Sequence, residues 1–151
     1  MIFRQRTETI DVLLVHPGGP FFRTKDFGAW TIPKGEAAEG EDLRTRAALE
    51  FQEELGIAPP ADDTWIHLGS IKQKGGKIVH AWAAEAELPD NFTLVSNTFE
   101  LEWPPRSGRT QPFPEIDRAE FFSWEMAVKK INPAQVAFLE RLSEALAPDK
   151  R

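Results

Sequence analysis

Apolar and polar positions change their period several times along the chain, and each change marks an element. TIDVLLV (residues 9–15) is a β-rich apolar run that stops at HPGGP, where Pro17, Gly18, Gly19 and Pro20 force a turn. The pattern predicts a strand entering a hairpin. AWTIP (29–33) predicts a second short strand, closing at a Pro-Lys-Gly loop. From Glu41 to Leu55 the spacing turns helical: Leu43, Ala47, Phe51 and Leu55 recur every four residues, and Gly56 stands where a C-terminal cap belongs. WIHLGSIKQ and KIVHAWAAEAEL flank Lys74-Gly75-Gly76 and predict two strands joined by a tight hairpin. The proline-rich stretch 89–114 offers only TFELEW as a short strand, and RAEFFSW (118–124) predicts the last one. INPAQVAFLERLSEAL then opens with Asn132 as N-cap and Pro133 at the first helical position, with Val136, Leu139, Leu142 and Leu146 on one face. Strands on both sides of one helix, with a second helix at the end, make the chain α/β.

Composition narrows the partners. A chain of 151 residues with 41% hydrophobic content predicts one globular domain spanning residues 1–151. A formal net charge of -6 argues against a nucleic-acid polymer or an anionic membrane as partner, and leaves a small phosphate-bearing ligand open. The absence of cysteine removes disulfides, thiolate catalysis and thiolate zinc sites. No apolar run approaches a membrane span and the N-terminal MIFRQRTETI is too charged for a signal peptide, so the expected location is cytoplasmic.

The chemistry concentrates in ALEFQEELGI (48–57), which packs Glu50, Glu53 and Glu54 among apolar residues. At about 100° per residue, Glu54 lies roughly 40° to one side of Glu50 and Glu53 roughly 60° to the other. All three therefore share one side of the helix, beside the apolar stripe. Like charges this close repel unless a cation or a proton sits among them. A solvated helix face is the commonplace reading of such a cluster. An oxygen-only metal site is the functional one, and it points to a hard ion, Mg²⁺ or Mn²⁺.

The wider spacing favours the metal. Gly35, five residues, Glu41, seven residues, then Leu49, Glu50, Phe51, Gln52, Glu53, Glu54, Leu55, Gly56 and Ile57 closely resembles the signature of the Nudix hydrolases. Chance agreement at its Gly and Glu positions is on the order of one in a million per window at ordinary composition. The departure is Leu49, where that signature carries Arg. Beyond the box, the order of strand, GAWTIPKGE, helix, hairpin, late acidic residue, strand and helix resembles the whole Nudix domain, and HPGGPFF with WTIPKGE looks like a MutT-like group of nucleotide pyrophosphohydrolases.

The resemblance implies a three-layer α/β/α sandwich around a mixed sheet, with the box helix and a C-terminal helix on the sheet. It implies metal-dependent hydrolysis of a diphosphate linkage in a nucleoside diphosphate joined to another moiety: an NTP, an oxidised purine NTP or a dinucleoside polyphosphate. Matched position by position, Gly35 (through its carbonyl), Glu50, Glu53 and Glu54 are metal ligands, and Glu50 and Glu53 are the catalytic carboxylates. Glu115 resembles a late acidic residue that adds a ligand or a base in some members. Lys34, at the mouth of the box loop, is a candidate phosphate contact against the alternative of a solvated loop lysine. Arg46, four residues before Glu50, is a substrate-binding candidate and a candidate replacement for the cation missing at Leu49. His16, His67 and His80 lack ligand or triad spacing and are expected to be structural. Trp103 and Phe113, in the proline-rich stretch, are the aromatics expected to be free to stack on a base.

The alternative function is a catalytically weakened nucleotide-binding or regulatory module, for which Leu49 is the supporting feature. Substrate markers known in some subfamilies, Pro or Tyr about 16–18 positions beyond the box glycine, are absent. That region reads Lys72, Gln73, Lys74, and the chain has no Tyr.

Overall fold

The computed structural model describes residues 1–33 and 40–147. A mixed five-stranded sheet forms its centre, built from β1 (Ile2–Gln5), β2 (Ile10–Pro17), β3 (Ile66–Lys72), β4 (Ile78–Glu85) and a late strand (Ile116–Ser123). A separate antiparallel ribbon pairs β5 (Thr98–Glu102) with β6 (Thr110–Pro114), so the late strand is β7. The order across the large sheet is β3-β4-β1-β2-β7, with β1 parallel to β4 and every other pairing antiparallel.

β2 shows why the sheet must be covered twice. Val12, Leu13, Leu14 and Val15 are all fully buried. Successive side chains on a strand point to opposite faces. Val12 and Leu14 accordingly join one apolar cluster with Phe3, Trp30, Val79, Ala81, Phe138, Leu139 and Leu142. Leu13 and Val15 join another with Ile2, Phe51, Leu55 and Ile116. Helix α1 (Leu43–Leu55) closes the second face. Helices α2 (Trp124–Lys130) and α3 (Val136–Leu146) close the first. These are the three layers the sequence leads one to expect.

The termini of these elements follow local chemistry. Asn132 accepts from the Ala134 N–H at 3.0 Å and opens the short turn Pro133–Gln135 that runs into α3. Gly75 and Gly76 both take positive φ in the β3–β4 turn, which a side chain would strain. At a bulge in β3, Arg141 of α3 donates to the carbonyls of Leu68 (2.9 Å) and Ser70 (2.8 Å), pairing groups the ladder leaves free.

Several expectations need correction. β1 and α2 carry no periodic signature in so short a span, and both are present. The turn after β2 exists, but the segment returning from it meets β2 at one antiparallel bridge rather than along a strand. The predicted strand at 29–33 makes single bridges, Thr31 to Val15 and Trp30 to Ile131. That segment is a strap threaded between β2 and the α2–α3 connection. Trp30 accepts from the Asn132 N–H at 2.7 Å, and the buried Gln135 side chain accepts from the Ile32 N–H at 3.1 Å. The strap runs as far as Pro33, which borders a pocket with Ala47 and Phe51 of α1.

Candidate active site

Helix α1 presents the carboxylates, and both of its ends are fixed by single residues. Asp42 accepts from the Thr45 N–H at 3.1 Å and the Thr45 hydroxyl at 2.6 Å, satisfying first-turn donors. Those two bonds, the hydroxyl first, hold the Asp42 carboxyl below the usual aspartate range. At the other end Gly56 takes φ 75° and donates to the Gln52 carbonyl at 2.8 Å. A Cβ there would come within 3.1 Å of the Val95 side chain, so glycine is required by conformation and by space.

The apolar stripe sinks toward the C-terminal end: Leu43 is exposed, Phe51 buried and Leu55 wholly buried. The carboxylates follow their angular distance from it. Glu54, on the stripe side, is buried with 7% of its surface exposed. The Glu50 side chain is 13% exposed and that of Glu53, on the far side, 44%. The cluster is a graded wall rather than a uniformly solvated face.

One cation gathers it. Arg46 donates to Oε1 of Glu50 through Nε at 2.8 Å and again through Nη2. The same Nη2 lies 3.6 Å from Glu53 Oε2, and Nη1 lies 3.9 Å from Glu41 Oε2. The hydrogen bond to Glu50, opposed by desolvation and supported by the charges of Glu50, Glu41 and Glu53, raises the pKa of the guanidinium. Leu49 projects 44% exposed and supplies no charge.

Beside α1 lies a small cleft of about 40 Å³ lined by Ala47, Phe51, Trp65, His80 and Trp82 and bordered by Pro33. The Met1 amino group donates to the Trp82 carbonyl at 2.7 Å. Burial pulls it down to about 5, with the charge of Glu54 acting in the opposite direction.

A scan against family models matches the NUDIX domain over residues 1–142. The chain belongs to the Nudix family. Its fold is similar to a Caenorhabditis elegans Ap4A hydrolase solved as a binary complex, with 24% identity, 96% of this chain and 92% of that one covered, and a TM-score of 0.63. It is also similar to the NUDIX domain of Shewanella oneidensis NrtR complexed with ADP ribose, at 15% identity, 97% and 84% coverage and a TM-score of 0.62. A third similar structure is a mutT/nudix family protein from Listeria innocua, at 16% identity, 96% and 87% coverage and a TM-score of 0.58. Among curated proteins no sequence matches. At these identities the neighbours establish the Nudix fold and leave the substrate open.

The described part of the Nudix box brings Glu50 and Glu53 together on Arg46, with Glu54 one turn deeper. Lys34 and Gly35 lie outside the described residues. Glu115 is exposed in the turn between β6 and β7, where its backbone bonds Gly18 at 2.9 Å and Asn97 at 2.8 Å. Among the described residues no three acidic or histidine side chains converge as a ready-made metal cage. The donor set nevertheless suits a hard divalent ion. Its atoms are carboxylate oxygens, the ligands such an ion takes, and the three carboxylates stand on one side of α1.

Two of the three histidines take structural places, and the third, His80, lines the cleft. His16 is fully buried and links Asp117 Oδ1 and the Lys25 carbonyl, each at 2.7 Å, and His67 stacks on Trp82 at 5.1 Å. Trp103 and Phe113 are half-buried rather than free: Trp103 packs edge-on to Phe21 at 5.6 Å and Phe113 meets Phe99 at 6.2 Å. Trp65 and Trp82 line the cleft beside α1, together with Phe51 and His80. The helix spacing of Ala47 and Phe51 could have pointed to that cleft, but the partner strand is remote in sequence. No helix among the described residues is long and apolar enough to cross a membrane.

Proposed function

We propose that this Nudix chain is a divalent-metal-dependent pyrophosphohydrolase that cuts a phosphoanhydride bond in a small nucleotide, such as an NTP, an oxidised purine NTP or a dinucleoside polyphosphate. The observation that carries this reading is the gathering of Glu50 and Glu53 on one cation, on the helix that bears the Nudix box. Bound Mg²⁺ or Mn²⁺ would polarise the phosphorus and acidify a water. Glu50, Glu53 and Glu54 are the side chains that would hold it, joined by the Gly35 carbonyl. Glu50 and Glu53 are also the carboxylates that would take the proton of the attacking water. As the water oxygen bonds to phosphorus, the anhydride P–O bond breaks and the distal phosphate leaves as an anion. Lys34 would meet a substrate phosphate, and the aromatic cleft beside Ala47 and Phe51 is the surface open to a base.

The test is a panel of those nucleotides incubated with Mg²⁺, with Mn²⁺ and with chelator, the products being identified. Divalent-dependent release of a nucleotide and a phosphate or pyrophosphate is expected. Tight nucleotide binding without turnover would replace this reading with the binding module. Lys34→Ala should raise KM severalfold, and an unchanged KM and kcat would remove Lys34 from the phosphate contacts.

A further inference from the structure

Arg46 is the residue whose position the box pattern does not explain. Its side chain is 25% exposed, enough to be drawn into solvent, yet its guanidinium turns along the helix to three acidic residues, Glu41, Glu50 and Glu53. Side chains on a helix lean toward its N-terminus, so Glu50 and Glu53 reach back while the long Arg46 side chain reaches forward to meet them. Glu53 lies seven residues from Arg46 and only four from Leu49, so the nearer helical neighbour is the one without charge. Both hydrogen bonds from Arg46 to Glu50 fall on Oε1.

We propose that Arg46 is the positioning residue of the carboxylate site, holding Glu50 and Glu53 at a fixed separation from one turn below and so performing the task that Leu49 cannot. The inference rests on the hydrolase reading for its effect on turnover, and it has one consequence that does not. A guanidinium bound to Glu50 competes with any divalent cation for the same negative charge. Arg46 therefore aligns the carboxylates while weakening their grip on metal. A substrate-binding arginine would behave otherwise, because its loss would appear in KM. A merely stabilising surface pair would change neither kcat nor metal affinity.

The experiment compares wild type, Arg46→Ala, Arg46→Lys and the double variant Arg46→Ala with Leu49→Arg, in steady-state kinetics and in calorimetric titration with Mn²⁺ alone. For Arg46→Ala, kcat is expected to fall about tenfold or more with KM within about twofold of wild type, while Mn²⁺ binds about threefold tighter or better. Lysine, which keeps the charge but not the fork, should recover only part of kcat. In the double variant, the Leu49→Arg change should restore part of the lost turnover from the new position. Unaltered kcat in Arg46→Ala, a raised KM at constant kcat, no recovery in the double variant, or weakened Mn²⁺ binding would each overturn the assignment. If wild type consumed no nucleotide, the hydrolase reading would fall while the Mn²⁺ titration still decided the role of Arg46.

Discussion

Helices α1 and α3 cover opposite faces of the same sheet with different material. Phe138, Leu139 and Leu142 of α3 are fully buried and purely apolar. α1 buries Phe51 and Leu55 in the same manner but sinks Glu54 among them, and it holds two more carboxylates against a single arginine. Burying a carboxylate is costly unless something compensates its charge. One helix therefore serves mainly to close a core, whereas the other gives up part of its burial to keep anions gathered.

The largest effect expected from breaking this contrast is on turnover. Glu54→Gln preserves shape and removes one charge, so kcat should fall by about a thousandfold. Its melting temperature should stay equal to or above that of wild type, as a site built at the expense of stability requires. Wild-type turnover in this variant would return α1 to the role of α3. On the other side of the sheet, Leu139→Ala should cost about 2–5 kcal/mol in urea unfolding through the cavity it leaves. The remaining folded protein should keep its full specific activity.

Gly56→Ala tests the end of α1 and should cost about 1–2 kcal/mol, since alanine pays for the left-handed conformation and must displace Val95. The smallest effect is at the N-cap. The Asp42 carboxyl is held below its ordinary value in the folded chain. Its contribution to stability is therefore complete above the unfolded value and is lost as pH falls through the lowered folded one. Asp42→Asn caps without titrating, so its melting temperature should decline less steeply than that of wild type over that acid window.

The sequence announced the box helix better than it announced the sheet that supports it, for a physical reason. The angular order of Glu54, Glu50 and Glu53 relative to Phe51 and Leu55 is a local property of one helix, and their burial follows that order. Gly56 and Asn132 act within one turn of chain and were equally legible. β1 offers only four residues, and its partner in the parallel ladder, β4, lies far along the chain: Ile2 pairs with Ala84 and Phe3 with Glu85. β6 is hidden by its own prolines, Pro112 and Pro114, which are tolerated in a two-stranded ribbon and suggest a loop when read alone. The sharing of Arg46 between Glu50 and Glu53 was visible as an angle, but its extension to Glu41 depends on a side-chain path that spacing does not specify.

The most direct test of the carboxylates as a hydrolytic metal site is product analysis in ¹⁸O-water, wild type beside Glu53→Gln, with Mg²⁺ or Mn²⁺ present and then chelated. The account predicts that wild type places one ¹⁸O on a single phosphate product only when the divalent ion is present, and that Glu53→Gln loses this labelling by about a hundredfold or more at an unchanged fold. Labelled product at the wild-type rate from Glu53→Gln, or hydrolysis that persists in chelator, would contradict it.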